Sequence, residues 1–279
     1  KMMTRKQQTA FPEVGTVHKG APKQDNRWGD DLEERFRIEF APDTTDAQLR
    51  FYNAYGNYHP TELRAMFVSS SVWDTWYFAN EAYSGSNQRI AVADDNQVLH
   101  LRNPATGEVL VRNGEPFTEF IPGQTFHYER EDRKYEVKLR PTGRLSLFLP
   151  ELEQLVSFTL RTTSFYDRIN IEKQLGAIQS LANALNGGNA AGIPIRVYRR
   201  LGWVTWNKPK GGAIRSQKWL VNIEPETAWA KQAMKKLANF ASFGASFEDT
   251  EVAVDGDPAL EGDEEEELDV RATAPGDWV

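Results

Sequence analysis

Alternation of polar and apolar residues marks several strands along the chain. Residues 35–40, 135–140 and 156–161 alternate with a period of two, which is typical of strands that bury one face. Shorter apolar runs bounded by turn residues indicate further strands. The predicted strands are 35–40, 63–68, 89–93, 135–140, 145–149, 156–161, 193–199 and 217–223.

Apolar residues spaced three or four positions apart indicate three helices. The clearest one follows Thr162-Thr163-Ser164, whose hydroxyls can cap its first turn, and ends at Asn186-Gly187-Gly188-Asn189. Its apolar face carries Ile171, Leu175, Ile178, Leu181 and Leu185. Thr45 and Gln48 have the spacing of a capping box, which makes Thr45 the expected N-cap of a shorter helix. This helix is expected to end at Gly56, which can adopt the left-handed conformation. The last helix places on one side Trp229, Ala233, Leu237 and Phe240.

Three segments between these elements carry weaker patterns. A short aromatic helical stretch is expected to end at Glu81 to Tyr83, and Pro141-Thr142-Gly143 predicts a tight turn. Residues 97–130 contain several prolines and glycines, which predicts an irregular middle lobe. Because strand–helix–strand segments alternate with hairpins, we expect an α+β fold with mixed or antiparallel sheets and β-α-β (ferredoxin-like) units.

Charge divides the chain into a basic body and an acidic end. Residues 245–279 contain 13 acidic residues and one basic residue, Arg271, although the whole chain has a net charge of only −7. Residues 1–244 therefore carry 32 basic against 27 acidic residues, a net charge of +5. We expect residues 31–244 to form the α+β body and residues 245–279 to form a disordered acidic tail. Residues 1–30, rich in Lys, Gln, Asn, Gly and Pro, are expected to form a flexible arm.

Composition limits the class of protein. An apolar fraction of 40% with 11% aromatic residues is sufficient for a folded core. The lack of cysteine excludes disulfides and thiolate metal sites. No apolar run approaches the roughly 20 residues that span a bilayer, and the first ten residues lack the apolar core of a signal peptide. We therefore expect a soluble protein in the cytoplasm.

Support for catalysis in the sequence is weak. Asp94 and Asp95 follow a predicted strand, and with Glu81 they could bind Mg²⁺ as in a nuclease, but the same residues are typical of a hairpin turn. The four histidines are isolated, without the spacing of metal ligands, and no nucleophile-elbow or phosphate-loop motif occurs. We expect a protein without catalytic activity, cofactor or metal.

The segment 194–219 is the strongest candidate for binding a ligand. It carries seven cations and no acidic residue, interleaved with aromatic side chains. Cations neutralise phosphates and exposed indoles stack on unpaired bases, whereas a basic hairpin with its tryptophans in the core is the structural alternative. The candidate nucleic-acid residues are Arg196, Arg199, Arg200, Trp203, Trp206, Lys208, Lys210, Arg215 and Lys218.

The acidic tail is the second candidate. An uninterrupted acidic run near the end of the chain is followed by an apolar terminus. Such a segment can fold back on a basic surface and compete with nucleic acid, or it can bind a partner, or it can simply keep the protein soluble. The candidate partner or regulatory residues are Asp263, Glu264, Glu265, Glu266, Glu267 and Trp278.

Several motifs together resemble a known family. They are residues 55–63 (YGNYHPTEL), 143–152 (GRLSLFLPEL) and 160–164 (LRTTS), followed by Gly192-Ile193-Pro194 and Lys218-Trp219-Leu220. In this order they resemble the recombination directionality factor-like proteins of phages and mobile elements. The best-known members bind a serine integrase and switch it from integration to excision. The resemblance spans roughly residues 14–225 and implies a non-enzymatic protein of DNA metabolism.

The favoured hypothesis is a DNA-binding accessory protein that acts in recombination or replication and binds single-stranded DNA or a recombinase–DNA complex. One alternative is a regulator of a serine integrase that contacts protein only. Another is an RNA-binding subunit of a CRISPR-type ribonucleoprotein, and a metal-dependent nuclease is the least favoured. The sequence leaves open the strandedness of the nucleic acid, the oligomeric state and the identity of the partner.

Overall fold

The computed structural model describes residues 11–22, 29–83, 89–93, 98–102, 109–111, 125–130, 133–207 and 213–241. Expectations for residues 1–10 and for the acidic tail at 245–279 lie outside the described residues. The described residues combine sheets with helices, so the expected α+β class is confirmed. The chain divides into two compact units. The first comprises Lys1–Phe78, Pro141–Val204 and Ser216–Asp255, and the second comprises Ala79–Arg140, Thr205–Arg215 and Gly256–Val279.

Strands dominate the described part of the chain. The strands are β1 (Glu13–His18), β2 (Arg37–Phe40), β3 (Glu62–Met66), β4 (Trp76–Tyr83), β5 (Arg89–Ala93), β6 (Val98–Arg102), β7 (Val109–Val111), β8 (Thr125–Arg130), β9 (Arg133–Lys138), β10 (Arg140–Leu147), β11 (Ser157–Thr162), β12 (Pro194–Asn207) and β13 (Ala213–Pro225). The helices are α1 (Thr45–Tyr55), α2 (Phe165–Asn186) and α3 (Thr227–Ala241), with 3-10 turns at Val72–Thr75 and Pro150–Leu152.

The first unit is built around a sheet with strand order β2-β1-β11-β10-β4, here called the main sheet. Strand β1 pairs parallel with β11 and antiparallel with β2, while β10 pairs antiparallel with β11. The register places Val17 beside Ile38 and Leu160, and it places Leu160 beside Leu145. All four side chains are buried, so this face of the main sheet forms the core.

Helix α2 covers the apolar face of the main sheet. Its Ile171, Leu175 and Ile178 are buried in the same core cluster as the strand residues. The helix begins as the sequence predicts, because Ser164 caps it by accepting a hydrogen bond from the Asp167 backbone amide at 3.3 Å. Its end at Gly187, which adopts the left-handed conformation with φ 61°, is also confirmed.

A three-stranded sheet with order β13-β12-β3 completes the first unit. Strand β12 pairs antiparallel with β3 over residues 194–198 only, so its continuation lies beside β13 alone. Each strand–helix–strand segment starts in the main sheet and ends in this sheet: β2-α1-β3 and β11-α2-β12. The two strands of a ferredoxin-like unit share one sheet, and these segments therefore do not form such units.

Polar side chains of helix α2 form hydrogen bonds with the backbone at the outer edge of β13, as a neighbouring strand would. Asp167 Oδ1 accepts from the Val221 amide at 2.9 Å, and Asn170 Nδ2 donates to the Val221 carbonyl. Gln174 Oε1 accepts from the Ile223 amide at 2.6 Å. An open strand edge is a template for pairing with another chain, and these polar side chains occupy it at Val221 and Ile223.

Helix α1 forms a similar contact with the outer edge of β3, through the hydroxyl of Tyr55. Tyr55 Oη accepts a hydrogen bond from the Arg64 backbone amide at 3.2 Å. Burial, together with the nearby charge of Glu151, raises the pKa of Tyr55. The tyrosine therefore stays protonated, and the edge of β3 is occupied at Arg64.

The second unit contains antiparallel strands. Residues 80–83 of β4 pair with β5, β5 pairs with β6, and β6 pairs with β7. Strands β8 and β9 form a hairpin with register from Thr125↔Lys138 to Arg130↔Arg133. In the range 97–130, for which an irregular lobe was expected, the described residues form β6, β7 and β8, each paired with a neighbouring strand.

Part of the expected N-terminal arm belongs to the main sheet. Residues 13–18 form β1 between β2 and β11, where Val14 and Val17 are buried. Gly15 fits this central position because an added Cβ would lie 2.8 Å from both the Glu39 carbonyl and the Phe158 ring. The polar composition of residues 1–30 hides these few apolar positions, whose role depends on distant partner strands.

Two other local expectations are wrong for one shared reason. Residues up to Tyr83 form strand β4 instead of a helical stretch, and Pro141-Thr142-Gly143 lies within β10 instead of a turn. The indole of Trp76 packs on Gly143, where an added Cβ would lie 2.4 Å from Trp76 Cη2. The glycine therefore serves a close packing contact, and tertiary contacts outweigh the local turn signal.

Helix α1 ends as predicted but begins differently. Its C-cap is Gly56, with φ 72°. The N-cap is Thr44, not Thr45, and no side chain caps the helix because the Thr44 hydroxyl donates to the Ala41 carbonyl at 2.7 Å.

Candidate nucleic-acid interface

Strands β12 and β13 carry the described residues of the predicted nucleic-acid site. Arg200, Trp203 and Lys218 have exposed side chains in the first unit, and Trp203 is 58% exposed. Because the Glu226 amide donates to the Pro194 carbonyl and the connection is short, the two strands run antiparallel. The exposed indole and the two exposed cations thus occur on adjacent strands, the combination expected of a surface that binds phosphates and bases.

Arg196 is paired with carboxylates from neighbouring strands. Its Nη1 donates to Glu62 at 3.1 Å, and its Nη2 donates to Glu224 at 3.3 Å. The Tyr198 hydroxyl also donates to Glu224 at 2.6 Å, and burial together with this hydrogen bond raises the pKa of Tyr198 to about 12. Segment 194–219 contains no acid, but β3 and the end of β13 supply two.

Arg199 is buried, with a guanidinium that serves the fold. Its Nη1 and Nη2 donate to the two carboxylate oxygens of Asp31 at 2.7 and 2.9 Å. The same groups donate to the carbonyls of Lys19 and Trp219, both at 3.1 Å. Burial opposes ionisation of Asp31, but the hydrogen bonds and charge of Arg199 outweigh it and lower the pKa of Asp31. Both Nη groups of Arg199, which was predicted to hold a phosphate, are therefore engaged by groups of the protein itself.

Each remaining candidate either lies in the second unit or is outside the described residues. Arg215 lies in the second unit and is exposed. The side chain of Trp206, both lysines of the connecting segment and the whole acidic tail lie outside the described residues. Of the residues considered for metal binding, Glu81 is buried and accepts from Arg89 at 2.8 Å, whereas Asp94 and Asp95 are not described. Among the described residues, no three acidic or histidine side chains cluster as metal ligands.

A second charged surface, which sequence reasoning missed, lies on the main-sheet face opposite α2. The register brings Arg37 beside His18 and Arg161 beside Arg144. These residues come from four separate strands. Only their alternation with buried positions could have indicated a common face, and the strand order was needed to bring them together.

Comparison with protein families follows from this geometry. A family model described as Gp3-like, recombination directionality factor-like, matches residues 14–209. The chain belongs to this family. The resemblance seen in the sequence motifs is thereby confirmed, and the family points to an accessory role in phage recombination. The match begins in β1 and ends just after β12.

Comparison with curated proteins and with solved structures gave no significant match. Within the described part of the chain, no helix has the length and apolar character needed to cross a membrane.

Proposed function

We propose that this protein is a non-catalytic accessory factor that binds a recombinase–DNA complex in the cytoplasm of a bacterial or phage-infected cell. It contacts DNA through Arg200, Trp203 and Lys218, here called the ribbon surface. The observation that carries the proposal is that an exposed indole, Trp203, and two exposed cations, Arg200 and Lys218, lie on the neighbouring strands β12 and β13. We propose a serine integrase as this recombinase, because the resemblance of the sequence motifs implies one.

Physical chemistry favours the ribbon surface for DNA. Cations at a surface neutralise phosphates and release counterions, and a half-exposed indole can stack on an unpaired base. Stacking requires a base outside a duplex, so the proposal favours single-stranded or locally unpaired DNA. Arg196 and Arg199 do not take part, because their guanidinium groups bind carboxylates of the protein.

The proposal also assigns a role to segments known from sequence alone. Lys208 and Lys210 lie between β12 and β13 in the chain, and we propose that they also contact DNA, as do Trp206 and Arg215. The acidic run at 263–267 and Trp278 would compete with DNA for this surface or bind the recombinase.

A mobility-shift titration of the full-length protein tests the DNA contact. Its probes are one labelled oligonucleotide of mixed sequence, single-stranded and annealed. Replacing Arg200 and Lys218 with Gln is expected to weaken binding and to lower the salt slope by about 2, because each lost phosphate contact removes about 0.9 from that slope. Trp203→Ala is expected to weaken binding to the single strand more than to the duplex. Equal binding by all variants would refute the contact.

A second candidate function, protein-only regulation of the recombinase, is favoured by a different observation. Leu49 and Tyr52 are exposed three residues apart on α1, and the Tyr52 ring lies 5.7 Å from the exposed Tyr58. Apolar side chains grouped in this way are typical of protein interfaces. Retention of a purified serine integrase in the absence of DNA, lost in Leu49→Ser together with Tyr52→Ser, would support it over the DNA proposal.

A further inference from the structure

The outer face of the main sheet, opposite α2, is polar along its first four strands. The side of each strand is fixed by burial: Thr162 faces α2, where its hydroxyl donates to Asp167 at 2.8 Å, so Arg161 next to it faces away. Arg144 is the register partner of Arg161. The sheet therefore separates an apolar face from a polar one by the alternation of its strands.

Four of these polar residues form a row across the strands. Arg37 on β2 is paired with His18 on β1, and Arg161 on β11 follows Leu160, the partner of Val17. With Arg144 on β10, the row Arg37–His18–Arg161–Arg144 crosses four adjacent strands, and it is here called the cationic row. At about 4.8 Å between strands, the row is about 14 Å long.

Arg161 is the most exposed residue of the cationic row. The Arg161 side chain is exposed, and no hydrogen bond or ion pair joins it to another of the described residues. Arg37 donates to Glu39 at 2.9 Å, and His18 lies 3.2 Å from the same carboxylate. The pKa of His18 is lowered first by burial and then by the charges of Arg37 and Arg161.

Glu39 is a carboxylate that pairs with two members of the cationic row, Arg37 and His18. It is exposed on β2, and the hydrogen bond from Arg37 lowers its pKa, so it is ionised. Its two partners are arranged to bind an anion, and the carboxylate occupies the position that a phosphate oxygen would take. The exposed Arg161 adds a positive charge close to this carboxylate, and His18 is mostly neutral at neutral pH.

From this geometry we propose that the cationic row is a second DNA site, which binds the phosphodiester backbone. The inference rests on the proposed DNA partner but uses a surface separate from the ribbon surface. Tyr77, beside Arg144 on the same face, is buried under the Arg144 guanidinium, so no described aromatic ring of the row is open for stacking. The site therefore holds phosphates and does not read bases.

The test compares two substitutions, Arg161→Gln and Glu39→Gln, which are expected to change DNA affinity in opposite directions. Full-length protein is titrated against the labelled duplex and the single strand at salt concentrations from about 50 to about 200 mM. Arg161→Gln is expected to weaken binding about threefold to tenfold and to lower the salt slope by about 1. Glu39→Gln is expected to tighten binding, because it removes the competing carboxylate but leaves Arg37 in place. The charge-matched control is Lys231→Gln, at an exposed position of α3, which is expected to change affinity less than twofold.

The results separate this inference from the proposed function. If Arg161→Gln has the same DNA affinity as the Lys231→Gln control while the ribbon-surface variants bind weakly, the DNA site at the cationic row is refuted and the proposed function stands. If Glu39→Gln weakens binding, the carboxylate does not compete with phosphate and the inference is also wrong. If the wild-type protein binds neither probe at low salt, both proposals fail. Thermal unfolding of each variant shows whether any loss of binding reflects loss of the folded state.

Discussion

Arg199 and Arg200 are neighbours in the sequence, yet the structure assigns them opposite behaviour. Replacing Arg199 with Ala removes two hydrogen bonds to Asp31 and two to the carbonyls of Lys19 and Trp219. The carbonyls lose a charged donor in a site where the arginine side chain is fully buried. Breaking a buried pair in this way costs about 3–5 kcal/mol, reduced here because Asp31 is partly exposed and can regain water. We expect a loss of about 2–4 kcal/mol in the free energy of unfolding.

Urea denaturation followed by tryptophan fluorescence measures this loss, with Arg200→Ala as the matched control. At about 2–4 °C per kcal/mol for a chain of this size, the Arg199→Ala variant should melt about 4–16 °C lower. Arg200 is exposed, so Arg200→Ala should change stability by less than about 0.5 kcal/mol and weaken DNA binding instead. The reasoning is refuted if Arg199→Ala keeps wild-type stability, or if its folded form loses more DNA affinity than Arg200→Ala.

The pH dependence of the same pair follows from the lowered pKa of Asp31. A carboxylate whose pKa is lower in the folded state than its ordinary value of 3.8 adds stability above that value. This contribution is lost as the pH falls through the lowered folded-state pKa. The stability difference between wild type and Arg199→Ala should therefore be constant at neutral pH and shrink below about pH 4. A difference that grows in acid would contradict this assignment.

Two further predictions concern residues that hold the first unit together. Gly143→Ala places a Cβ 2.4 Å from Trp76 Cη2 and should destabilise by about 1–3 kcal/mol, measured by urea denaturation; Gly143→Ala with Trp76→Phe should recover part of the loss. Asp167→Asn keeps an oxygen for the Val221 amide but loses the ion pair with Lys19. It should therefore lower the free energy of unfolding by about 2–4 kcal/mol. A double-mutant cycle with Lys19→Met tests the ion pair, and the absence of coupling between the two substitutions would count against it.

The sequence was sufficient for elements whose cause is local. Helix α2 was predicted with both ends, because Ser164 and Gly187 act within the helix itself and Ile171, Leu175 and Ile178 recur at helical spacing. The same holds for the C-cap of α1 at Gly56. The family motifs also gave the family without any structure.

Elements whose cause lies far away in the chain were missed. Strand β1 was assigned to a flexible arm because its few apolar residues become meaningful only beside β2 and β11. Gly143 was taken for a turn residue because nothing local reveals the indole of Trp76 above it. Both errors come from contacts that no local window contains.

In the candidate site, too, the sequence and the tertiary structure determined different properties of the charged residues. The sequence determined how many cations segment 194–219 carries and that no acid lies among them. Only the tertiary structure decided which of them are available, because Asp31, Glu62 and Glu224 come from other strands to pair with Arg199 and Arg196. It likewise brought four separate strands into the cationic row. Charge content is a property of composition, whereas charge pairing depends on distance, and distance between remote residues is set by the register of the sheets.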